Sequence, residues 1–178
     1  KGDAVAGYDL TPSPLTKALT EEGALIHYED DPELIPEPFR SPDTLVVFTP
    51  AVPRDHRELN FFINQGNRVI KRAELLGDLT RRERGLCVAG THGKTTTSTL
   101  LAHLMRSSHV DCHAFLGGIS NNYKTNCLIS EKSDYAVIEA DEFDRSFHHL
   151  SPYIAVITSA DPDHLDIYHT PEAYRESF

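Results

Sequence analysis

Cysteine is scarce in this chain, and its three cysteines are far apart. Cys87, Cys112 and Cys127 form no CxxC pair. This argues against a disulfide framework and against a zinc knuckle, and it suits a reducing compartment. We therefore expect a cytoplasmic protein.

Basic residues and long apolar runs are also few. The 17 Lys and Arg residues against 27 Asp and Glu give a formal net charge of -10, which argues against binding along a nucleic-acid backbone. An anionic ligand must therefore be met by a few basic groups at one place. Apolar runs such as TLVVF and YIAVI fall far short of the roughly 18 residues that span a bilayer, and the polar start KGD is unlike a secretory signal. We expect neither a nucleic-acid nor a membrane partner.

The chain contains an alternation of short apolar segments with helical patterns. Its 178 residues, 39% of them hydrophobic, can bury a substantial core in one large or two small domains. Ser13 and Pro14 are typical of a helix start, and Gly23 and Gly66 of helix ends. The apolar segments between and after these helices predict strands: AVAGYD, ALIHY, TLVVFTP, RVIK, GLCVAG, AFLG, CLIS, YAVIEA and YIAVITSA. This order predicts an α/β fold with a parallel sheet.

A polar and basic segment, residues 77–85, interrupts this pattern. It has no apolar stripe, so we place a domain border there, with domains at 1–80 and 85–178; a solvated helix end is compatible with the same composition. The segment AVAGYD would suit the second strand of a nucleotide-binding unit, and no glycine-rich first turn precedes it. We therefore expect the first strand of that unit to be absent.

The segment VAGTHGKTTT, residues 88–97, has the composition of a phosphate-binding loop. Gly90 and Gly93 would let backbone N–H groups converge on one anion, and the helix that follows adds the positive end of its dipole. Lys94 supplies a positive charge, and Thr95 or Thr96 would place a hydroxyl on a magnesium ion.

The match to the common phosphate loop is incomplete. In the spacing GxxxxGK[ST], Val88 occupies the position of the first glycine. A glycine-containing turn with an exposed lysine is the alternative. We favour the phosphate loop because strand, glycines, lysine, hydroxyls and helix follow in the order that the mechanism requires.

Acidic residues follow the next two predicted strands. Glu139 ends YAVIEA, at the carboxyl end of a strand, where open α/β sheets bind ligands. Asp141, Glu142 and Asp144 come directly after it. These carboxylates are the oxygen ligands that magnesium prefers, although a solvated acidic turn would have the same composition.

The segment SADPDHLDIY repeats this arrangement after YIAVIT. It brings together Asp161, Asp163, His164 and Asp166. A capped turn would explain the aspartates but not the histidine, and a lone histidine is more often structural than a ligand.

Several segments together resemble the Mur ligase family of peptidoglycan synthesis. They are VAGTHGKTTT, GGISNN, Thr125 with Asn126, IEADEFDRSFHHL and DPDHLDIY, while VVFTPAVP and VIKRAELL are similar to the family's UDP-binding domain. The resemblance implies a Rossmann-like domain followed by part of a phosphate-loop-containing α/β ATPase-like domain. It also implies that the rest of a three-domain enzyme is missing, so we expect this fragment to be inactive alone.

The resemblance assigns roles to individual residues. Lys94, Glu139 and His164 would be catalytic, Thr95 and Glu139 would hold one Mg²⁺, and His164 a second. General chemistry does not predict a histidine ligand for magnesium, so that role comes from the family alone. The ATP phosphates would be held by Gly90, Thr91, His92, Gly93, Lys94, Thr95 and Thr96. UDP-N-acetylmuramate would lie along Thr49, Ala51, Arg72, Asn122, Thr125 and Asn126. The sequence departs from many family members at Ser159, where they carry Asn.

The reaction that the resemblance implies is ATP-dependent joining of L-alanine to the carboxylate of UDP-N-acetylmuramate, through an acyl phosphate, with Mg²⁺. The segment DRSFHHL favours L-alanine over a preformed peptide, which a sister ligase would add. Two other classes remain open, a phosphate-loop switch and a dinucleotide-dependent oxidoreductase. The oxidoreductase would leave Lys94 and the acidic loops without a role.

Overall fold

The protein is described by a computed structural model over residues 3–178. The chain divides into two compact units, the first ending at Arg72 and the second beginning at Ala73. This division of the chain falls in the first turn of a helix, and the domain limits at 80 and 85 stay a prediction.

The first unit contains two separate pairs of parallel strands. Strand β1 (Ala6–Tyr8) pairs with β2 (Leu25–His27), and β3 (Val46–Phe48) pairs with β4 (Val69–Lys71). Because β3 and β4 are parallel, their carboxyl ends lie at the same edge of their sheet. A loop follows β3, whereas a helix begins directly after β4, at Arg72.

Helices α1 (Pro14–Glu21) and α2 (Arg57–Gln65) belong to this unit. The predicted start of α1 is confirmed, because the Ser13 hydroxyl accepts a hydrogen bond of 3.1 Å from the backbone N–H of Thr16. The predicted end of α2 is confirmed too, since Gly66 adopts a left-handed φ of 83°.

The second unit is a five-stranded sheet with helices on both faces. Its sheet has the strand order β7-β6-β8-β5-β9. The helices and strands, in chain order, are α3 (Arg72–Arg82), β5 (Arg84–Ala89), α4 (Lys94–Arg106), β6 (His113–Phe115), β7 (Cys127–Leu128), β8 (Tyr135–Glu139), β9 (Ile154–Ile157), α5 (Leu165–Tyr168) and α6 (Pro171–Glu176).

The core lies on both faces of the central strands. On one face, Leu86 and Val137 pack with Ala102 of α4. On the other face, Cys87 and Ile138 pack with side chains from α3, from the 3-10 segment Phe143–His149 and from the chain end. Successive strand residues point to opposite faces, and the buried residues Leu86–Ala89 of β5 and Ala136–Ile138 of β8 are all apolar, as in a parallel sheet covered on both sides.

The α/β class is confirmed, with two differences from the predicted elements. Strand β7 runs antiparallel to β6, whereas a parallel sheet was expected; the loop between them, residues 116–126, reverses the chain without a crossover helix. The polar segment at 77–85 continues helix α3 as far as Arg82, and it buries Gly77 and Thr80 while its basic residues lie in the last turn. Within residues 3–178, no helix has both the length and the apolar character needed to cross a membrane.

Candidate functional site

The candidate site lies where β5 and β8 end side by side. The two strands are parallel neighbours, and Val88 pairs with Glu139 in their register. The glycine-rich loop after β5 and the acidic loop after β8 therefore leave the same edge of the sheet, which is the edge where α/β sheets bind ligands.

The glycine-rich loop turns sharply from β5 into α4. Gly90 and Gly93 have φ values of 124° and 80°, a region that L side chains rarely adopt. A Cβ on Gly90 would also collide with Thr158 and Ser159 of the loop after β9. Lys94 is the first residue of α4, so its side chain and the first N–H groups of the helix lie at the same place.

Lys94 is fixed by two partners. Its Nζ donates hydrogen bonds of 2.7 Å to the carbonyl of Gly90 and 2.9 Å to Oε1 of Glu142. Only 2% of the Glu142 side chain is exposed, and its Oε2 is buried without a hydrogen-bond partner within residues 3–178. The lysine is therefore the cation that compensates a buried carboxylate.

Glu139 is held by three donors, two from helix α4 and one from the loop after β6. Its Oε1 accepts from the Thr95 hydroxyl at 2.9 Å. Its Oε2 accepts from the backbone N–H of Gly117 at 2.8 Å and from the Ser98 hydroxyl at 3.4 Å. The structure thus brings together two of the three residues predicted to bind metal.

His164 lies apart from that pair. Its Nε2 is 4.0 Å from Glu142 Oε1 and 4.0 Å from Asp163 Oδ2. In the part of the chain that the structure describes, no hydrogen bond or ion pair joins it to Thr95 or Glu139. It borders the site through Glu142, the counterion of Lys94.

The loop after β9 ties the glycine-rich loop down. The Thr91 hydroxyl donates to the carbonyl of Asp161 at 2.6 Å, and it lies 2.7 Å from the hydroxyl of Tyr174. The N–H of His92 donates to the Ser159 hydroxyl at 3.0 Å. The departure at Ser159 thus falls on a residue that contacts the glycine-rich loop, while His92 and Thr96 themselves are exposed.

Two buried tyrosines support both halves of this arrangement. Tyr168 donates a 2.6 Å hydrogen bond to the carbonyl of Glu142, and its ring packs edge-on against Tyr174 with centroids 4.9 Å apart. Burial raises the pKa of both phenols, so both hydroxyls stay protonated near neutral pH.

Sequence reasoning missed these tyrosines and the specific role of Glu142. Glu142 was one of three equivalent acids, and only burial separates it from Asp141 and Asp144. The only sequence signal for the tyrosines is their position. Tyr168 and Tyr174 come shortly after His164, in the two consecutive helices α5 and α6.

The predicted substrate residues fall into two groups, one in each unit. In the first unit, Thr49 follows β3 and Arg72 follows β4, directly after the paired residues Phe48 and Lys71. The structure therefore places Thr49 and Arg72 at one sheet edge, with Ala51 exposed two residues further on.

In the second unit, Asn122, Thr125 and Asn126 share the loop between β6 and β7. The carbonyl of Asn126 accepts from the N–H of Leu116 at 2.9 Å, and the Asn122 amide nitrogen lies 3.3 Å from Nδ1 of His103. These contacts shape the loop, which also contains Gly117. The N–H of Gly117 donates to Glu139.

The donor set can be tested against magnesium on its chemistry. Among the described residues, no group of three or more His, Cys, Asp or Glu side chains is arranged to hold a metal ion. Magnesium, however, is commonly held by one or two protein oxygens together with phosphates and water. The adjacent hydroxyl of Thr95 and carboxylate of Glu139 fit that partial set.

Two family models match the chain. The model described as "Mur ligase family, catalytic domain" matches residues 1–84, and the model described as "Mur ligase middle domain" matches residues 88–178.

The chain is also similar to individual proteins. A UDP-N-acetylmuramate--L-alanine ligase of Porphyromonas gingivalis is 67% identical over 100% of this chain. The chain spans 39% of that relative's length.

Two solved structures have the same fold as the chain. A UDP-N-acetylmuramate-alanine ligase of Thermotoga maritima has a TM-score of 0.82 and 27% identity, over 97% of this chain and 40% of that one. A UDP-N-acetylmuramate:L-alanyl-gamma-D-glutamyl-meso-diaminopimelate ligase of Neisseria meningitides has a TM-score of 0.85 and 26% identity, over 98% of this chain and 58% of that one. With the family model covering residues 88–178, these matches show that the chain belongs to the Mur ligase family.

Proposed function

We propose that the full-length protein is a cytoplasmic ATP-dependent ligase that joins L-alanine to the carboxylate of UDP-N-acetylmuramate, in the synthesis of peptidoglycan precursors. The observation that supports this most is the convergence of Lys94, Thr95 and Glu139 at the adjacent ends of β5 and β8. A loop of this composition suits binding of a triphosphate. A carboxylate substrate must be activated by a triphosphate such as ATP before an amine can react with it.

The chemistry of the carboxylate explains why ATP is needed. An amine cannot expel oxide from a carboxylate. A muramoyl carboxylate oxygen therefore attacks the γ-phosphorus, the bond from that phosphorus to ADP breaks, and an acyl phosphate forms. The amino group of L-alanine then attacks the acyl carbon, loses a proton and expels inorganic phosphate.

Lys94 has an electrostatic role in this scheme. Both steps gather negative charge on phosphoryl oxygens, and a preorganised ammonium stabilises that charge without reorganising during the reaction. The backbone of Gly90 to Thr95 and the hydroxyl of Thr96 would surround the phosphates, as the N-terminus of a helix favours anions.

Magnesium would bind between the protein and the phosphates. Thr95 and Glu139 would hold one ion, and His164 would contribute to a second. A bound magnesium ion neutralises phosphate charge and polarises the phosphoryl oxygen. Metal ions held by these side chains would lie between the acidic protein and its ligands. This would let a protein of net charge -10 bind two polyanions.

The residues proposed to bind UDP-N-acetylmuramate are assigned separately in each unit. We assign Thr49, Ala51 and Arg72 to the nucleotide-sugar end, since Thr49 and Arg72 follow paired strands. Asn122, Thr125 and Asn126 would contact the muramoyl end, because their loop lies beside Gly117 and Glu139. The domain border between residues 80 and 85 is part of this proposal.

L-Alanine is favoured over a preformed peptide by sequence similarity. The relative named for L-alanine is 67% identical, whereas the structure named for a peptide substrate is 26% identical, although the TM-scores of the two solved structures are close. A substrate panel on the full-length protein tests this directly. We expect amide formation with L-alanine and not with L-alanyl-γ-D-glutamyl-meso-diaminopimelate, and the reverse preference would contradict the proposal.

A further inference from the structure

The ion pair between Lys94 and Glu142 is short and largely buried. The side chains are 15% and 2% exposed, and the carboxylate oxygen lies 2.9 Å from Nζ. A carboxylate this buried needs a cation close by, because an unpaired buried charge is strongly unfavourable.

The arrangement leaves Lys94 able to bind a phosphate while it keeps both present partners. A lysine ammonium has three N–H donors. Within residues 3–178, one donates to the carbonyl of Gly90 and one to Glu142, so the third remains for a ligand.

Separating the pair would be costly, since Oε2 of Glu142 is already buried without a hydrogen-bond partner in the described chain. The imidazole Nε2 of His164 is 4.0 Å away from Oε1. Removing Lys94 from Glu142 would leave this carboxylate without its short ionic contact, so the pair should persist when nucleotide binds.

Glu142 is itself held from behind. Tyr168, which is 1% exposed, donates a 2.6 Å hydrogen bond to its backbone carbonyl. The backbone at Glu142 therefore cannot move away from Tyr168 without breaking a buried hydrogen bond.

We propose that Glu142 is a positioning residue, which fixes the ammonium of Lys94 at the phosphate loop and keeps its ion pair when nucleotide is bound. This inference rests on the proposed function for the role of Lys94. It concerns Glu142, which the sequence did not distinguish from its acidic neighbours.

The test compares four versions of the full-length protein: wild type, Glu142→Gln, Lys94→Met and the double variant. Affinity for a non-hydrolysable ATP analogue with Mg²⁺ is measured by calorimetry. Glu142→Gln should weaken binding by about tenfold, because it removes one charge-assisted hydrogen bond that fixes the lysine. In the Lys94→Met background, the same substitution should have no further effect, because the two residues act as one unit.

Controls address folding and charge. Glu131→Gln removes an exposed acid at the opposite end of β8 and should bind the analogue as wild type does. Glu142→Asp keeps the buried charge but shortens the side chain, so it should fold and still lose part of the affinity. Wild-type binding by Glu142→Asp would contradict the proposal even if Glu142→Gln does not fold.

Two other outcomes would also overturn it. Tighter binding by Glu142→Gln would mean that the carboxylate competes with phosphate for Lys94. An equal effect of Glu142→Gln with and without Lys94 would mean that Glu142 acts directly on the ligand.

These outcomes are separable from failure of the proposed function. Analogue binding does not require ligation, so the affinity cycle can succeed in a protein that forms no amide with L-alanine. Conversely, a wild type that ligates L-alanine while Glu142→Gln binds the analogue normally would refute only the role of Glu142.

Discussion

Lys94 and Glu139 lie at the same edge of the sheet because β5 and β8 are parallel neighbours. Glu139 ends β8, and Lys94 follows the loop after β5. Their charges have opposite roles, since the lysine would contact phosphate oxygens directly and the carboxylate would do so through a metal ion. Each is held by hydrogen bonds within the protein, Lys94 to the glycine-rich loop and Glu139 to helix α4 and the loop after β6. Such preorganisation is what makes an electrostatic contribution to catalysis large.

Replacing Lys94 by alanine tests the first of these roles. We expect Lys94→Ala in the full-length protein to lower kcat for ligation by at least about a hundredfold, because the ammonium that we propose to face the transferred phosphoryl group is lost. Binding of UDP-N-acetylmuramate should remain close to wild type, as measured by calorimetry. Wild-type turnover would remove Lys94 from the mechanism.

Replacing Glu139 by glutamine tests the second. The amide keeps the shape but loses the charge that favours Mg²⁺. We expect the Mg²⁺ concentration for half-maximal activity to rise at least about tenfold. An unchanged magnesium titration would show that Glu139 has a structural role only.

The buried cysteines give a prediction that is independent of catalysis. Burial raises the pKa of Cys87 and of Cys112 to about 11, so almost no thiolate forms at pH 8. We expect iodoacetamide to leave both thiols unmodified in the native protein and to alkylate them after denaturation, as read by mass spectrometry. Rapid labelling of either residue before unfolding would contradict the packing described for the sheet.

At the residue scale, the sequence predicts groups whose chemistry follows from local order. Lys94 and Thr95 are recognisable because a glycine-rich loop must precede them. Glu142 is not recognisable, because its function depends on a burial that comes from the packing of α5 and α6 against the acidic loop. Local patterns carry no information about that packing.

At the scale of elements, helix starts, buried strands and the parallel direction of most strands were predictable, whereas the antiparallel direction of β7 was not. Ser13 and Gly66 mark the ends of helices through local hydrogen bonds and backbone geometry. The antiparallel direction of β7 depends on its pairing with β6, and its two residues carry no periodic signal. The continuation of α3 through a polar segment depends on Gly77 and Thr80, which are buried by tertiary contacts.

The loop after β6 gives a prediction at this scale. Gly117 donates its N–H to Glu139, and a Cβ on it would collide with that carboxylate. We expect Gly117→Ala to displace Glu139 and to raise the magnesium requirement by about tenfold, as losses of outer-sphere support commonly do. Gly7→Ala, where a Cβ meets nothing within 4 Å, is the matched control. Equal magnesium titrations for the two variants would argue against this support.

At the scale of the whole molecule, the distribution of charge matters more than its sum. A net charge of -10 argues against broad electrostatic attraction of polyanions. The proposed binding would therefore depend on Lys94, on the N-terminus of α4 and on the oxygens proposed to hold magnesium. The chain spans 39% of the length of its similar relative from Porphyromonas gingivalis. Tests of activity therefore belong to the full-length protein.

In the proposed reaction, the γ-phosphoryl group of ATP is transferred to an oxygen of the muramoyl carboxylate. The most direct measurement uses UDP-N-acetylmuramate labelled with ¹⁸O in that carboxylate, with the full-length protein, ATP, Mg²⁺ and L-alanine. We predict that the released inorganic phosphate carries one labelled oxygen for each amide formed from fully labelled substrate, as read by mass spectrometry. Amide formation with no label in the phosphate would contradict the account.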